Sequence, residues 1–264
     1  PTRVMIEHVV RATGAPPDGH RDQPSPAVPR RLHARPDSPH DPNVITWTSR
    51  ERHGCRMTPD LFTHVPNLPP GGGLLIDLGA GEQVYRTLLS STGFDYVSVD
   101  TSGAVDLLAD AHRLPFASSS AEVVVAISLL EHVYDPLVAM REVARVLRPG
   151  GTVLGSVALT EPFHMNSYFH HSHLGVVQVL EGAGLEPVVI APADDWPSIH
   201  AAAEMGLFEG APRVGARLVT WPLRVMGRAW WRARAFAGRA HSSGLDRDLL
   251  LTAGFRFVAR RPVA

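Results

Sequence analysis

Apolar residues recur between residues 74 and 190 as short runs separated by polar turns. Strand-like runs are predicted at 74–78, 96–99, 105–109, 123–127, 152–157 and 187–190, with a last one at 255–259. Between them, apolar residues at 137, 140, 144 and 147 have the spacing of a helix that packs one face on a sheet. This alternation of strands and helices predicts an α/β fold with a mostly parallel sheet covered on both faces.

The flanking segments have a different pattern. Residues 1–65 begin with a stretch rich in Pro, Arg, His and Asp that has no period, which predicts an irregular arm followed by short helices. The core is predicted at 66–192 and 251–264. Residues 193–250 are too many for a simple connection, so they are predicted to form a helical insertion or lid between the sixth and seventh strands. Pro222 and Gly227 favour two shorter helices there rather than one continuous helix.

Composition excludes only a few classes of function. The chain of 264 residues has a formal net charge of -1, so nucleic acid and a stable membrane association are not expected. The single cysteine, Cys55, cannot form an internal disulfide, and no apolar run is long enough to span a bilayer. We therefore expect a cytoplasmic protein.

A glycine-rich turn follows the first predicted strand and contains Asp77, Gly79 and Gly81. The missing side chains let a ligand approach the backbone and the start of the next helix. Asp100 comes 19 residues after Gly81 at the end of the second strand, where a carboxylate can accept both hydroxyl hydrogens of a ribose. The spacing indicates a nucleoside cofactor, although Asp100 could instead be a helix N-cap.

The residues of the turn discriminate between two cofactor classes. A dinucleotide-binding G-x-G-x-x-G motif needs glycine at position 84, which is Val84. Asp77 and Glu82 would also repel a pyrophosphate, whereas the carboxylate of Asp77, just before the turn, suits the amino group and sulfonium of S-adenosylmethionine. An NAD-dependent oxidoreductase is therefore disfavoured.

Three later motifs follow this turn in order, at 110–116 (DAHRLPF), 130–133 (LEHV) and 148–151 (RPGG). Together with the turn and Asp100 they resemble the class I S-adenosylmethionine-dependent methyltransferases of the small-molecule type. The resemblance covers roughly residues 74–157, with continuation to 190. It implies a Rossmann-like, doubly wound sheet of seven strands, mostly parallel, with the last strand antiparallel.

The resemblance also implies a set of cofactor-binding residues. They are Asp77, Gly79, Gly81, Gln83, Asp100, Thr101, Asp110, Ala111, Ser128 and Leu129. In the family pattern the first three border the methionine end, Asp100 holds the ribose, and Asp110 with Ala111 lies by the adenine. The last two residues lie where the acceptor arrives.

Two of these positions have alternative interpretations. Gln83 stands at the third glycine of the family's G-x-G-x-G, where it either hydrogen-bonds the methionine carboxylate or begins the helix. Asp110 is either an adenine-side residue or a turn-forming aspartate.

Histidines are the candidate catalytic bases. His132 follows the fourth strand, and His164 and His170 lie in a histidine-rich segment after the fifth strand, all on the ligand-facing edge of such a sheet. The alternative for His132 is that it holds the start of a helix together with Glu131. The histidine spacing matches no established metal motif and no carboxylate cluster accompanies it, so no metal is expected.

We therefore expect methyl transfer from S-adenosylmethionine to a hydroxyl or amine of a small-molecule acceptor, such as a sugar or specialised metabolite. The alternative keeps the fold and cofactor but assigns a cyclase-like or non-catalytic partner role. Within the insertion, arginines alternate with Trp and aliphatic residues from Arg213 to His241. This pattern is consistent with packing on the same domain, a homodimer interface, a substrate lid or peripheral membrane contact.

Overall fold

The structure is a computed structural model, and it describes residues 72–193, 197–208, 210, 213–238 and 250–263. The predicted N-terminal arm and short helices at 1–65, including Cys55, lie outside these residues, as does part of the insertion.

One sheet of seven strands forms the centre of the described part of the chain, in the order β3-β2-β1-β4-β5-β7-β6. Its strands are β1 Leu74–Leu78, β2 Asp95–Asp100, β3 Leu107–Leu108, β4 Ala121–Ile127, β5 Leu147–Ala158, β6 Glu186–Pro192 and β7 Gly254–Arg260. Along the sheet, each neighbouring pair in the series β3-β2-β1-β4-β5 is parallel. Strand β7 runs antiparallel to both β5 and β6. The predicted doubly wound, mostly parallel sheet is confirmed, with the third strand shortened to two residues.

Helices connect these strands. They are α1 Arg86–Ser90, α2 Pro136–Val146, α3 His173–Gly182, α4 Ser198–Ala201, which continues into a π-helical turn at Ala202–Leu207, and α5 Arg213–Phe236. The side chain of Asp135 caps α2 by accepting a hydrogen bond from the N–H of Val138 at 3.0 Å. The alternative in which Glu131 and His132 hold the start of a helix is therefore wrong, because Asp135 does this.

The middle strands are buried on both faces. The side chains of β4 from Val123 to Ala126 are fully buried, as expected for β-branched residues in a covered parallel strand. At Gly155 of β5 an added Cβ would lie 2.2 Å from the carbonyl oxygen of Ala126 and 2.6 Å from the ring of Phe257. Only glycine therefore fits between these neighbours, which keeps β4, β5 and β7 in close contact.

The prediction of two short helices in the insertion is wrong, because α5 continues through Pro222 as one helix of 24 residues. A proline inside a helix removes one backbone hydrogen bond, that to Leu218. The side chains of Pro222 and Leu218 are both exposed, so this side of the helix is open to water that can hydrate the freed carbonyl. Good helix formers (Ala, Arg, Leu and Met) on both sides extend the helix across the gap.

None of the helices in the described ranges combines the length and the apolar character that crossing a membrane would require.

Candidate active site

The glycine turn and Asp100 meet at the carboxyl ends of β1 and β2. Gly79 and Gly81 have φ values of 76° and 50°, which glycine adopts without a steric penalty. The N–H of Gly81 donates to Oδ2 of Asp100 at 3.0 Å, and the N–H of Thr101 donates to Oδ1 at 2.6 Å. The helix N-cap alternative for Asp100 is wrong, because the residues after it form bends rather than a helix.

The turn leaves open space beside its backbone, which a nucleoside could occupy. A Cβ added to Gly79 would lie 2.9 Å from Cδ1 of Leu129, whereas one added to Gly81 would meet nothing within 4 Å. Leu129 therefore backs the turn on one side, and the space over Gly81 is open. This open backbone beside a half-buried carboxylate fits the adenosyl part of S-adenosylmethionine.

Asp77 lies behind the turn. Its side chain is only 3% exposed, and its Oδ2 accepts a hydrogen bond from the hydroxyl of Tyr96 at 2.7 Å. Burial raises the pKa of Asp77, the Tyr96 hydrogen bond lowers it, and the charge of Asp100 raises it further. The sequence analysis missed Tyr96, which lies on β2 opposite Leu75 of β1.

Gln83 belongs to a polar network beside the turn. Its Nε2 donates to the carbonyl of Ala104 at 2.5 Å, and its Oε1 accepts from Arg86. Arg86 forms a two-pronged ion pair with Asp106, with both contacts at 3.1 Å. Hydrogen bonds from Arg86 and Ser98 lower the pKa of Asp106 to about 2. Because the helix begins at Arg86, the alternative in which Gln83 begins it is wrong.

Asp110 forms a turn at the predicted adenine side. Its Oδ1 accepts from the N–H of His112 at 2.9 Å and contacts the ring Nδ1 of His112 at 2.5 Å. The Nε2 of His112 accepts from the N–H of Asp135 at 3.2 Å, and the ring stacks on exposed Tyr134 with centroids 3.9 Å apart. Ala111 is buried beside this group. The stacked pair of His112 and Tyr134 is a second feature that the sequence analysis missed.

Ser128, Leu129 and two of the candidate bases lie at the edge of the sheet formed by β4 and β5. Ser128 is exposed, with φ at 49°, and its N–H donates to the carbonyl of Ser156 at 3.1 Å. The rings of His132 and His164 pack edge to face with centroids 5.1 Å apart. Burial lowers the pKa of His132, and the charges of His164 and His170 lower it further.

The main chain fixes the orientation of the His164 ring. Its Nδ1 lies 2.9 Å from the carbonyl oxygen of Pro162, which can only accept a hydrogen bond. Nδ1 therefore carries the proton, and Nε2 has a free lone pair 4.0 Å from a carboxylate oxygen of Glu161. The third candidate, His170, is exposed.

The remaining two histidines of the segment, His171 and His173, pack against the rest of the domain. His171 is buried and its N–H donates to the carbonyl of Ala158 at 2.8 Å, while the ring of His173 packs 5.7 Å from that of Phe255. Across the described residues, no group of three or more His, Cys, Asp or Glu side chains could hold a metal ion.

Glu131 anchors the histidine-rich segment to the end of β4. Its main-chain oxygen accepts from the N–H of Tyr168 at 2.7 Å. Its carboxylate oxygens are fully buried, and no donor meets them with good hydrogen-bond geometry, although main-chain groups of Glu131 and Ala158 lie close enough to lower the pKa slightly. Burial is the larger effect and raises the pKa of Glu131 to about 7.

This carboxyl makes stability depend on pH. With a pKa near 7 in the folded state, against 4.5 for the ordinary group, Glu131 holds a proton that the unfolded chain releases. The contribution of this proton to the free energy of unfolding is complete below about pH 4.5 and is lost as the pH rises to about 7. We expect the stability gain of Glu131→Gln over wild type to grow by about 3 kcal/mol between about pH 4.5 and pH 8.

Urea denaturation at the two pH values measures this difference. Glu181→Gln is the matched control, because Glu181 is exposed and lies on the surface of α3. A gain for Glu131→Gln that is equal at both pH values would show that Glu131 does not hold its proton in the folded protein.

Comparison with known proteins finds similarity to methyltransferases. The family model described as a methyltransferase domain matches residues 76–155. An uncharacterized methyltransferase of Mycobacterium sp. (strain JLS) is 27% identical over 188 residues, covering 66% of this chain and 75% of the relative. One from Mycobacterium tuberculosis (strain ATCC 25177 / H37Ra) is 26% identical over 195 residues, with the same coverage.

Solved structures show the same fold at lower sequence identity. A putative sarcosine dimethylglycine methyltransferase from Galdieria sulphuraria superposes with a TM-score of 0.51 at 14% identity, covering 77% of this chain and 83% of its own. Phosphoethanolamine N-methyltransferase 2 of Haemonchus contortus, in complex with S-adenosylhomocysteine, gives 0.50 at 15% identity, covering 77% and 52%. Residues 76–155 therefore form a methyltransferase domain, and the comparisons support an S-adenosylmethionine-dependent methyltransferase with S-adenosylmethionine as its cofactor.

Proposed function

We propose that this methyltransferase transfers the methyl group to a hydroxyl of a small-molecule acceptor, with amines as a second acceptor class. The observation that carries the proposal is the contact between the rings of His132 and His164, after the end of β4. A positioned imidazole can remove the proton of a weakly acidic hydroxyl, a step that an uncharged amine acceptor does not need. Sugars and specialised metabolites offer such hydroxyls.

The cofactor-binding assignments belong to this proposal. Asp100 and Thr101 hold the ribose, Gly79 and Gly81 give the ligand access to the backbone, and the other residues of the predicted set surround them. The open space over Gly81 supports this placement. Asp77 borders the methionine end, and the hydrogen bond from Tyr96 to its Oδ2 fixes the orientation of its carboxylate.

At the adenine side, Asp110 shapes the turn. Its hydrogen bonds hold the His112 ring in place, and His112 stacks with Tyr134. The exposed Tyr134 ring gives the adenine a flat partner next to buried Ala111.

When bound, S-adenosylmethionine supplies an electrophilic methyl group on a sulfonium. The chain's own contribution is to hold the acceptor in line with that methyl, and such positioning can lower a barrier by about 7–11 kcal/mol. His164 takes the acceptor's proton at Nε2, because Nδ1 is already committed to Pro162. The nearby Glu161 carboxylate then stabilises the imidazolium that forms.

The insertion borders the acceptor side of this site. The hydroxyls of Thr160, after β5, and Ser198, at the start of α4, lie 2.6 Å apart. A Cβ added to Gly206 would lie 3.5 Å from Cγ of Pro162, so the π-helical turn packs against the residue that orients His164. These contacts support the proposal that the described part of residues 193–250 forms a lid over the acceptor.

The test is incubation of the full chain with methyl-labelled S-adenosylmethionine and panels of hydroxyl and amine acceptors. We expect label in a hydroxyl acceptor and an equal amount of S-adenosylhomocysteine. Binding of S-adenosylhomocysteine without methyl transfer to any hydroxyl or amine would contradict the proposal and favour the cyclase-like or non-catalytic alternative.

A further inference from the structure

Helix α5 exposes an unusual amount of apolar surface. Its exposed large apolar side chains are Val214, Leu218, Val219, Trp221, Leu223, Val225, Met226, Trp230 and Phe236. Scattered apolar residues on a protein surface are ordinary, but a contiguous exposed set on one helix marks an interaction site. The side of α5 that packs on its own domain includes the small buried residues Ala216 and Thr220 together with half-buried Trp231.

The charges on α5 have a single sign. Residues 213–236 contain six arginines and no acidic residue. Arg217, Arg224, Arg228 and Arg232 are separated by seven, four and four residues, which places them in one stripe along the helix. Arg217 pairs with Glu204 at 3.5 Å, and half-buried Arg224 lies 3.2 Å from Nε2 of His200. Arg228 and Arg232 are exposed, and no carboxylate of the described residues pairs with either.

Trp221 lies within the stripe, but five other exposed apolar side chains lie beside it. Leu218, Val219, Val225, Met226 and Trp230 recur at the spacings of a second helical face, which adjoins the arginine stripe away from the packed side. We call these five residues the outer face. A cationic stripe beside an exposed apolar face with tryptophan is the pattern of a helix that lies in a membrane interface.

We propose that α5 docks on the surface of an anionic lipid bilayer, with the outer face in the boundary between headgroups and acyl chains. Arg228 and Arg232 of the stripe then contact the anionic headgroups. The helix lies parallel to the surface and does not cross the bilayer. This proposal replaces the expectation of no stable membrane association, which came from a net charge averaged over the whole chain.

The charge pattern favours lipid over a second copy of the chain. In a symmetric dimer each patch meets its own copy. Two copies joined through α5 would therefore bring arginine stripes together with no acidic residue on either helix to neutralise them. An anionic bilayer supplies both the apolar volume and the opposite charge.

Co-sedimentation of the full chain with vesicles tests the proposal. We expect binding to vesicles of phosphatidylcholine with phosphatidylglycerol that is at least tenfold stronger than binding to phosphatidylcholine alone, and that weakens as salt is added. Met226→Ser/Trp230→Ser and Arg228→Glu/Arg232→Glu are each expected to weaken binding at least tenfold. Binding of S-adenosylhomocysteine by each variant verifies that it is folded.

The control variant is Arg141→Glu/Leu174→Ala, which changes an exposed arginine of α2 and an exposed leucine of α3. It is expected to bind vesicles like the wild type. Failure to bind anionic vesicles, equal binding to neutral ones, or equal losses in the control would overturn the proposal. So would a dimer in sedimentation velocity that Met226→Ser/Trp230→Ser dissociates, because it would assign the outer face to a second copy.

Discussion

Asp100→Ala is expected to weaken binding of S-adenosylhomocysteine by about 10²- to 10⁴-fold. The carboxylate can accept two ribose hydroxyls, and hydrogen bonds to a charged group contribute about 1.5–3 kcal/mol each. The substitution also removes the acceptor of the Gly81 N–H, which holds the turn beside β2. Isothermal titration calorimetry on the full chain measures the change.

Two further variants make the result specific. Asp95→Ala changes an exposed aspartate at the opposite end of the same strand and is expected to leave affinity unchanged. Asp100→Asn retains one acceptor oxygen, so its affinity should lie between those of the wild type and Asp100→Ala. Equal affinities for Asp100→Ala and Asp95→Ala would mean that no nucleoside lies across the ends of β1 and β2.

His164→Asn is expected to lower kcat for a hydroxyl acceptor by about 10²- to 10⁴-fold, because it removes the imidazole that accepts the proton. The affinity for S-adenosylhomocysteine should be unchanged, since His164 lies at the β4–β5 edge and not at the glycine turn. Single-turnover rates and calorimetry on the same preparation separate the two effects.

Two nearby histidines, His170 and His132, serve as controls for the effect of His164→Asn. His170→Asn, at an exposed position, is expected to reduce kcat less than tenfold. His164→Asn should also raise the pKa of His132, because the charge of His164 is one of the causes that lower it. An NMR titration of His132 follows that change. If His164→Asn retained full kcat, His164 would not be the base.

The sheet could be predicted from local patterns. A run such as 74–78 or 123–127 is apolar because both faces of its strand are covered, and this burial is visible in the run itself. The glycine turn and Asp100 were also predictable, because their separation of 19 residues is that of one β-α-β unit. The strands and the glycine turn could thus be predicted because they depend on the spacing of residues along the sequence.

Contacts between side chains on different strands could not be predicted. Tyr96 reads as an ordinary strand residue until β1 is placed beside β2 in the register that brings its hydroxyl to Asp77. The ion pair of Arg86 and Asp106 joins a helix to the loop before β3, and neither residue lies in a family motif. The continuity of α5 through Pro222 depends on which side of the helix is exposed, which sequence spacing does not reveal.

The buried position of Asp77 is expected to make the site bind S-adenosylmethionine more tightly than S-adenosylhomocysteine. Taking a carboxylate out of water is costly, and a cation nearby offsets part of that cost. S-adenosylmethionine carries one more positive charge than S-adenosylhomocysteine, so ionised Asp77 should favour the former and ease release of the latter. Calorimetric affinities for the two, which should converge as the pH falls and Asp77 becomes neutral, test this consequence.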